Sequence, residues 1–285
     1  MHQVQLLKKY GLSVRGSRGQ HLLIDENIQE KFVSLLRPAK GETIIEIGPG
    51  LGAITELLLA SGAKVIAIEQ DPRFVEILEG ELACDYKTLT LVKADILKVD
   101  LKKYVRDKSK LKVAGNIPYY ITSPILLYLI KHRTAVDSAY LTVQREIADR
   151  IFAQPGTKAY GRLSLLVRFY ADVRRAFEIS RNCFSPKPDV DSTVIELMFH
   201  PTLPASVDET VLFDLIKYGF ATRRKNILNA LSEGFKNQMT KPEMKAILNA
   251  AGLRETARAE ELLLKDFIRL AELFSDRKRS AKPAR

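Results

Sequence analysis

Residues 43–55 read TIIEIGPGLGAIT, which is a short apolar run, a glycine-rich turn and the beginning of a helix. The β-branched residues before the turn favour a buried strand, and the AITELLLA segment after it favours a helix. A strand, a glycine turn and a helix in this order are typical of the nucleotide-binding start of a doubly wound α/β domain. The spacing here is G-x-G-x-G, whereas dinucleotide-binding folds use G-x-G-x-x-G. The turn therefore predicts a ligand with a nucleotide-like part but does not identify it.

Predicted strands and helices alternate from residue 43 to residue 150, which indicates a parallel sheet covered by helices. Two later segments, 174–179 and 192–199, are expected to complete the sheet as antiparallel strands. We therefore predict an α/β fold with a Rossmann-like sheet and a small all-α C-terminal domain. The predicted divisions are a mobile basic arm at 1–20, the sheet domain at 21–201, the helical domain at 202–275 and a disordered basic tail at 276–285.

The composition bounds the possible partners and the compartment. The chain has 45 Lys and Arg against 34 Asp and Glu, a net charge of +11, which favours a polyanionic partner such as RNA. The adjacent cations Arg223, Arg224 and Lys225 are the predicted RNA-binding cluster. Cys84 and Cys183 are far apart in sequence, so we expect no disulfide, no metal site and a reducing cytoplasm. No apolar run is long enough for a membrane span, and the N-terminus lacks the apolar segment of a secretory signal.

Polar residues stand at the predicted carboxyl ends of successive parallel strands, where α/β proteins bind ligands. After the turn, in which Gly48 and Gly50 can approach a ligand closely, come Glu69, Asp95 and Asn116. Glu69 is placed to accept hydrogen bonds from ribose hydroxyls, and Asp95 could accept one from an adenine amino group. Together these residues predict a nucleoside pocket.

The loop at the fourth strand end, Asn116-Ile117-Pro118-Tyr119, resembles the acceptor loop of amino-group methyltransferases that use S-adenosylmethionine. The lone pair of an adenine amino nitrogen is conjugated with the ring and is a poor nucleophile. The Asn116 side-chain oxygen and the Ile117 carbonyl can accept both amino hydrogens, which localises that lone pair on nitrogen. Pro118 stiffens the loop, and Tyr119 offers an aromatic face on which a flipped base can stack.

The chain as a whole resembles the KsgA family of small-subunit ribosomal RNA adenine dimethyltransferases, which is related to the Erm methyltransferases. The matching segments span about residues 18–198, in family order. They are RGQHLL, EIGPGLGAIT, AIEQDP, ADIL, GNIPYYITSPIL, KAYGRLSLL and CFSPKPDVDSTV. The resemblance implies a class I methyltransferase that dimethylates two neighbouring adenosines near the 3′ end of 16S rRNA in the immature small subunit.

The resemblance also implies a set of site residues. S-adenosylmethionine would contact His21, Leu23, Gly48, Glu69, Asp95 and Asn116, with no metal. The target adenine would lie between Tyr119 and Phe184, the aromatic residue of the FSPKPDVDS loop. Two positions depart from the family pattern. His21 replaces an Asn, and Tyr120 replaces the Asn that commonly follows the acceptor loop.

Three other functions are weighed against this one. An Erm-like methyltransferase of large-subunit rRNA is disfavoured because the GRLS and FSPKPDVDS segments look more like KsgA. A non-catalytic ribosome-assembly factor is disfavoured by the intact Glu69, Asp95 and acceptor loop, although an assembly role can coexist with catalysis. A nicotinamide-dependent dehydrogenase is disfavoured by the glycine spacing. We expect a monomeric cytoplasmic enzyme.

Overall fold

The structure, a computed structural model, describes residues 3–14, 20–106, 109–222 and 224–280. Residues 278–280 are described by their backbone alone. The chain forms two compact units. The first comprises residues up to 148 together with 172–201, and the second comprises 149–171 together with the residues from 202 onward.

The helices are α1 (Gln3–Lys9), α2 (Glu26–Leu36), α3 (Ala53–Ala60), α4 (Pro72–Leu78), α5 (Thr122–Lys131), α6 (Arg145–Phe152), α7 (Arg162–Tyr170), α8 (Glu209–Gly219), α9 (Ile227–Gly234), α10 (Lys241–Ala250) and α11 (Leu264–Ser280). The strands are β1 (Leu22–Leu23), β2 (Thr43–Ile47), β3 (Lys64–Glu69), β4 (Leu89–Lys93), β5 (Leu111–Asn116), β6 (Val136–Gln144), β7 (Ala171–Ile179), β8 (Phe184–Ser185) and β9 (Ser192–Phe199).

The main sheet has the strand order β4-β3-β2-β5-β6-β9-β7. Strands β2 to β6 run parallel to their neighbours, and β9 pairs antiparallel with β6. From β2 the chain adds β3 and β4 on one side and then β5 and β6 on the other. The strand order therefore reverses between β2 and β5, and a ligand crevice is expected beyond the carboxyl ends of these strands. This arrangement confirms the predicted Rossmann-like α/β fold.

The core of the sheet unit lies between the sheet and helices α2 and α3. Ile44 of β2 packs in one cluster with Phe32 and Leu36 of α2 and Leu58 of α3, all at most 1% exposed. Asp25 caps α2 by accepting a hydrogen bond from the backbone N–H of Ile28 at 3.1 Å.

The N-terminal segment differs from the predicted mobile arm. Residues 3–9 form α1, whose Leu6 is only 5% exposed and packs with Leu22, Leu51, Phe74 and Ile77. Burying one leucine side chain stabilises the docked segment by roughly 1.5–3 kcal/mol. At its basic end, Lys9 pairs with Glu81 at 2.5 Å. The expectation rested on the charges and missed the apolar face; Arg15 and Arg18 lie outside the described residues.

The helical unit begins earlier in the chain than the predicted boundary at residue 202. Helix α7 belongs to it, as does the segment before α7. The Tyr160 hydroxyl in that segment donates to the Leu262 carbonyl at 2.9 Å, and its ring packs edge-on against Phe220. Helix α7, with its buried Leu165, Val167 and Phe169, is therefore part of the helical unit and not of the predicted sheet domain at 21–201.

Helix α11 also extends beyond the predicted end of the helical domain. The tail was predicted to be disordered from residue 276, but residues 276–280 continue the helix. The segment contains no helix breaker, and Arg277 pairs with Glu243 of α10 at 3.1 Å. Residues 281–285 lie outside the described part of the chain. None of the helices in the described part is long and apolar enough to span a membrane.

Candidate functional site

Two adjoining cavities lie in the sheet unit at the carboxyl ends of β2, β3, β4 and β5. The first cavity is lined by the glycine turn, by Glu46 and by the acceptor loop Asn116 to Tyr119. The second cavity has a volume of about 450 Å³ and is lined on one side by Asp95 and Tyr120. Gly48 and Glu69 line both cavities. The crevice expected from the strand order is therefore present, and the predicted strand-end residues surround it.

The glycine turn fits closely against neighbouring side chains. Gly50 and Gly52 have φ values of 58° and 85°, in the left-handed region that favours glycine. A Cβ at Gly52 would lie 2.6 Å from Leu82, and one at Gly50 would lie 3.0 Å from Leu22. The turn thus requires glycine for its conformation, a Cβ at Gly52 would also displace leucine side chains, and the turn brings bare backbone to the wall of the first cavity.

Glu69 is held by backbone amides at the end of β3. Its Oε1 accepts hydrogen bonds from the N–H groups of Gln70 and Asp71, both at 2.8 Å, and its Oε2 accepts one from Gly50 at 3.2 Å. Burial raises the pKa of this carboxyl, while the three amides act in the opposite direction. The carboxylate is therefore fixed in orientation at the junction of the two cavities.

Asp95 follows β4 and lines the second cavity. Its Oδ1 accepts a hydrogen bond from the backbone N–H of Leu97 at 3.0 Å, which caps a short 3-10 turn over Ile96–Lys98. Oδ1 thus caps the turn, and Oδ2 does not take part in this hydrogen bond. The geometry is compatible with the predicted contact to an adenine amino group.

Asn116 ends β5 and is oriented by a contact to a distant segment. Its Nδ2 donates to the carbonyl of His21 at 2.8 Å. A carbonyl can only accept, so the nitrogen of the amide must face His21 and the oxygen must face away from it. The next residue, Ile117, is 1% exposed, which anchors the acceptor loop in the core.

Tyr119, the last residue of the acceptor loop, contacts Ser192 and His21. The Tyr119 hydroxyl shares a hydrogen bond of 2.7 Å with the buried Ser192 of β9. The His21 ring stacks against the Tyr119 ring with a centroid distance of 5.2 Å. The Nδ1 of His21 lies 2.7 Å from the carbonyl oxygen of Pro186, so Nδ1 carries the hydrogen of this bond. His21 therefore lines the first cavity but directs its ring toward Tyr119 and the loop that follows β8.

Leu23 also lines the first cavity, from β1. It is 3% exposed, and its carbonyl oxygen already accepts hydrogen bonds from Gln3 Nε2 at 2.5 Å and Gln29 Nε2 at 2.6 Å. This leaves its side chain and its N–H for any contact to a ligand. The predicted cofactor contacts of Leu23 and His21 stay predictions.

Phe184 is buried in the core of the sheet unit, and the predicted contact of its ring with a target adenine stays a prediction. The residue is 3% exposed and belongs to the core cluster with Leu23 and Ile179, and it lines neither of the two cavities. The cause is the short antiparallel pairing of β1 with β8, which places Phe184 opposite Leu23 and turns its ring inward. In this structure the aromatic neighbour of Tyr119 is His21 and not Phe184.

Glu46 is a site residue that was not predicted from the sequence. Glu46 stands in the middle of an apolar strand, is 2% exposed and lines the first cavity. Its Oε2 accepts a hydrogen bond from Thr55 Oγ1 at 2.6 Å, and burial raises its pKa to about 7. An acid inside a buried strand was the available signal, because such a residue is costly unless it has a function.

The predicted RNA-binding cluster belongs to the helical unit. Arg223 lies outside the described residues. Arg224 is exposed, whereas Lys225 forms an ion pair with Glu233. The side chains of the described residues include no group of three or more His, Cys, Asp or Glu that could hold a metal ion.

Comparison with known proteins identifies the family. The family model for ribosomal RNA adenine dimethylase matches residues 11–274 of this chain. The small-subunit ribosomal RNA methyltransferase A of Lachnoclostridium phytofermentans is 36% identical over 278 residues, which is 96% of each chain. That of Streptococcus sanguinis is 41% identical over 273 residues, which is 94% of each chain. The resemblance to the KsgA family that the sequence motifs carry is thereby confirmed.

Solved structures agree with this result. The crystal structure of a dimethyladenosine transferase from Plasmodium falciparum has 27% identity and a TM-score of 0.75, covering 90% of this chain and 98% of the other. The 23S rRNA methyltransferase ErmE has 23% identity and a TM-score of 0.65, covering 89% and 99%, and it bears on the fold alone. The chain therefore belongs to the ribosomal RNA adenine dimethylase family of S-adenosylmethionine-dependent methyltransferases.

Proposed function

We propose that this enzyme transfers methyl groups from S-adenosylmethionine to the amino groups of two adjacent adenosines near the 3′ end of 16S rRNA, twice each. The observation that carries this proposal is the fixed orientation of Asn116. Its amide oxygen faces away from His21, at the end of the strand that borders a carboxylate-lined cavity. The small-subunit substrate follows the names of the relatives, which are methyltransferases of that subunit.

The residues of the two cavities fit the methyl donor. When bound, S-adenosylmethionine supplies an electrophilic methyl group on a sulfonium cation. We assign its amino-acid part to the first cavity, where the backbone of Gly48 and Gly50 and the carboxyl of Glu46 would hold it. We assign its nucleoside part to the second cavity, where Glu69 would accept from the ribose hydroxyls and Asp95 from the adenine amino group. The buried carboxyls of Glu46 and Glu69 would interact favourably with the positive charge of the donor.

The acceptor loop would prepare the amino nitrogen of the target base. Asn116 Oδ1 and the Ile117 carbonyl accept the two amino hydrogens, so the lone pair is localised on nitrogen. Pro118 restricts the loop, and the Tyr119 ring offers a face on which the base can stack. The hydrogen bond between the Tyr119 hydroxyl and Ser192 fixes the position of this ring. Orientation is the main catalytic contribution in such a transfer. Because alkylation makes the amino proton acidic, the loop needs no dedicated general base.

The stacking between His21 and Tyr119 has a consequence for base entry. A centroid distance of 5.2 Å leaves no space for an adenine between the two rings. The target base would therefore stack on the other face of Tyr119 or displace the His21 ring. Phe184, given its burial, would act as support for the loop and not as the opposite wall.

The substrate is a large RNA, and the net charge of +11 favours its binding. We propose that the exposed Arg224, with Arg223 and to a lesser extent Lys225, contacts phosphates from the helical unit. We further propose that the enzyme is a cytoplasmic monomer, that its substrate is the immature small subunit, and that it has a role in small-subunit biogenesis.

The test uses labelled S-adenosylmethionine and purified ribosomal subunits from a strain that lacks this modification. We expect label in the 16S rRNA of the small subunit, at two neighbouring adenosines near its 3′ end. Already methylated small subunits are the matched control and should accept little label. Label confined to large-subunit RNA would contradict the substrate, and no transfer to either subunit would contradict the activity.

A further inference from the structure

Four residues line both cavities and thus form the neck between them: Gln20, Gly48, Glu69 and Pro118. Under the proposed function, on which this inference rests, the amino-acid part of the donor lies on one side of the neck and the nucleoside part on the other. The sulfonium centre is the atom that joins these two parts. The sulfonium, which carries the positive charge of the donor, would therefore lie at the neck.

Gln20, which lines both cavities, carries a buried side-chain oxygen with an unusual environment. Its Nε2 donates to Asp71 Oδ2 at 3.3 Å. A carboxylate only accepts, so the nitrogen of the amide must face Asp71 and the oxygen must face the opposite way. That oxygen, Oε1, is buried and has no hydrogen-bond partner among the residues that the structure describes. A buried unpartnered carbonyl oxygen is unfavourable unless a ligand or a cation compensates it.

The amide of Gln20 is held in place by a charged neighbour. Arg73 binds Asp71 through two hydrogen bonds, at 2.9 and 2.5 Å. The guanidinium lowers the pKa of Asp71 to about 2, so this residue is a charged acceptor at neutral pH. The same Asp71 donates its backbone N–H to Glu69. Gln20 is thus fixed to the segment that also orients the neighbouring neck residue.

We propose that Gln20 Oε1 is an electrostatic contact of the sulfonium centre and helps the enzyme to prefer the methyl donor over its demethylated product. The donor carries a positive sulfonium, whereas the product, S-adenosylhomocysteine, carries a neutral thioether at the same position. A carbonyl oxygen stabilises the positive sulfonium and interacts only weakly with the neutral thioether. Gln20 is therefore a specificity-determining residue that favours the exchange of spent product for fresh donor.

The experiment measures dissociation constants by titration calorimetry for the intact protein, without RNA. The ligands are S-adenosylmethionine, S-adenosylhomocysteine and sinefungin, an analogue with a charged amine in place of the sulfonium. The variants are Gln20→Met, which keeps the length of the side chain and removes the oxygen, and Gln238→Met, the same change at an exposed position of the helical unit. Thermal melting verifies that both variants are folded.

We expect Gln20→Met to weaken the two cationic ligands about tenfold and the thioether less than about twofold, with Gln238→Met unchanged. An equal loss for all three ligands would show that Gln20 only shapes the pocket and would overturn the proposal, as would no loss at all. Wild-type protein that binds neither donor nor product would contradict the proposed function itself. The two failures are therefore distinguishable.

Discussion

The donor side and the acceptor side of the cavities are held in different ways. On the donor side, Glu69 takes hydrogen bonds from the next two residues and from the glycine turn, and Asp95 takes one from a residue two positions on. On the acceptor side, the fixing contacts join distant parts of the chain. Asn116 binds a residue 95 positions away, and Tyr119 binds one 73 positions away.

This difference has a physical consequence. A carboxylate held by the backbone of its own loop keeps its geometry as long as the loop is folded. An acceptor loop held by long-range contacts depends on β1, β5 and β9 being assembled together. Substitutions on the acceptor side should therefore affect catalysis most, and those on the donor side should affect ligand affinity and stability.

The largest effect is expected for Asn116→Ala. Removal of the amide oxygen should lower methyl transfer by about two to three orders of magnitude, in line with the loss of one well-placed polar group in an active site. Affinity for the RNA should change little, because phosphate contacts supply most of it. Initial rates with unmodified small subunits test this, with exposed Asn237→Ala as the control. Wild-type rates in Asn116→Ala would contradict the role of the acceptor loop.

Glu46→Gln tests the buried carboxyl on the donor side through the pH dependence of stability. A carboxyl whose pKa is raised from 4.5 to about 7 holds its proton more tightly in the folded state. Its contribution is therefore most favourable at low pH and is lost as the pH rises from about 4.5 to about 7. The variant should gain up to about 3 kcal/mol of unfolding free energy relative to wild type across that window.

Urea unfolding at a series of pH values, without ligand, measures this difference. The exposed Glu76→Gln is the matched control and should show none of it. If the gain of Glu46→Gln were the same at pH 4.5 and pH 7.5, the titration of Glu46 would not be the cause.

Glu69→Ala should weaken S-adenosylmethionine binding about tenfold or more, because charge-assisted hydrogen bonds to the ribose would be lost. The three backbone N–H groups that donate hydrogen bonds to the Glu69 carboxylate would also lose their acceptor. Calorimetry gives the affinity, and Glu76→Ala on the exposed face of α4 is the control. An unchanged affinity would mean that the nucleoside part binds elsewhere.

Phe184→Leu decides between the burial in the structure and the base wall predicted from the sequence. Because Phe184 is a core residue, the Phe184→Leu substitution should lower the free energy of unfolding by about 1 kcal/mol. The rate of methyl transfer should then change less than about threefold, since 1 kcal/mol of folding free energy leaves most molecules folded. A tenfold slower enzyme with unchanged stability would restore the sequence-based role, in which Phe184 touches the target base.

The smallest effects concern the cationic cluster of the helical unit. Arg224→Ala should lower RNA affinity by about twofold to threefold and reduce the slope of its salt dependence by about one. Lys225→Ala should do less, because Glu233 already neutralises part of its charge. RNA affinity measured at several salt concentrations distinguishes the effects of Arg224→Ala and Lys225→Ala. Equal slopes for both variants and the wild type would make the cluster an ordinary solvated surface.

The strand-end residues that line the two cavities could be predicted from the sequence because their signals are local. The glycine spacing, the buried strands and the acids after them all lie within short segments, and the parallel fold brings their ends together. The acceptor loop was likewise visible, because Asn116 to Tyr119 is contiguous. Glu46 was overlooked because it reads as one polar residue in an apolar strand.

The contacts that the sequence could not predict involve pairs far apart in the chain. The inward turn of Phe184 follows from the pairing of β1 with β8, two strands of two residues each with no periodic signal. The position of α7 follows from its packing against α8, where the Tyr170 and Phe213 rings lie 5.7 Å apart, a contact between residues 43 positions apart in the chain. The docking of α1 depends on the buried Leu6, on the hydrogen bond of Gln3 to the Leu23 carbonyl and on the Lys9–Glu81 pair, whereas the charges of the segment suggested a free arm.

The most direct test of the account is the chemical identity of the product. Unmodified small subunits are incubated with the enzyme and S-adenosylmethionine, and the RNA is digested to nucleosides for mass spectrometry. We predict that the wild type forms N6,N6-dimethyladenosine and that Asn116→Ala does not. Methyl groups on another nucleoside, or undiminished dimethyladenosine in that variant, would contradict the claim that the Asn116–Tyr119 loop directs the methyl group to an adenine amino nitrogen.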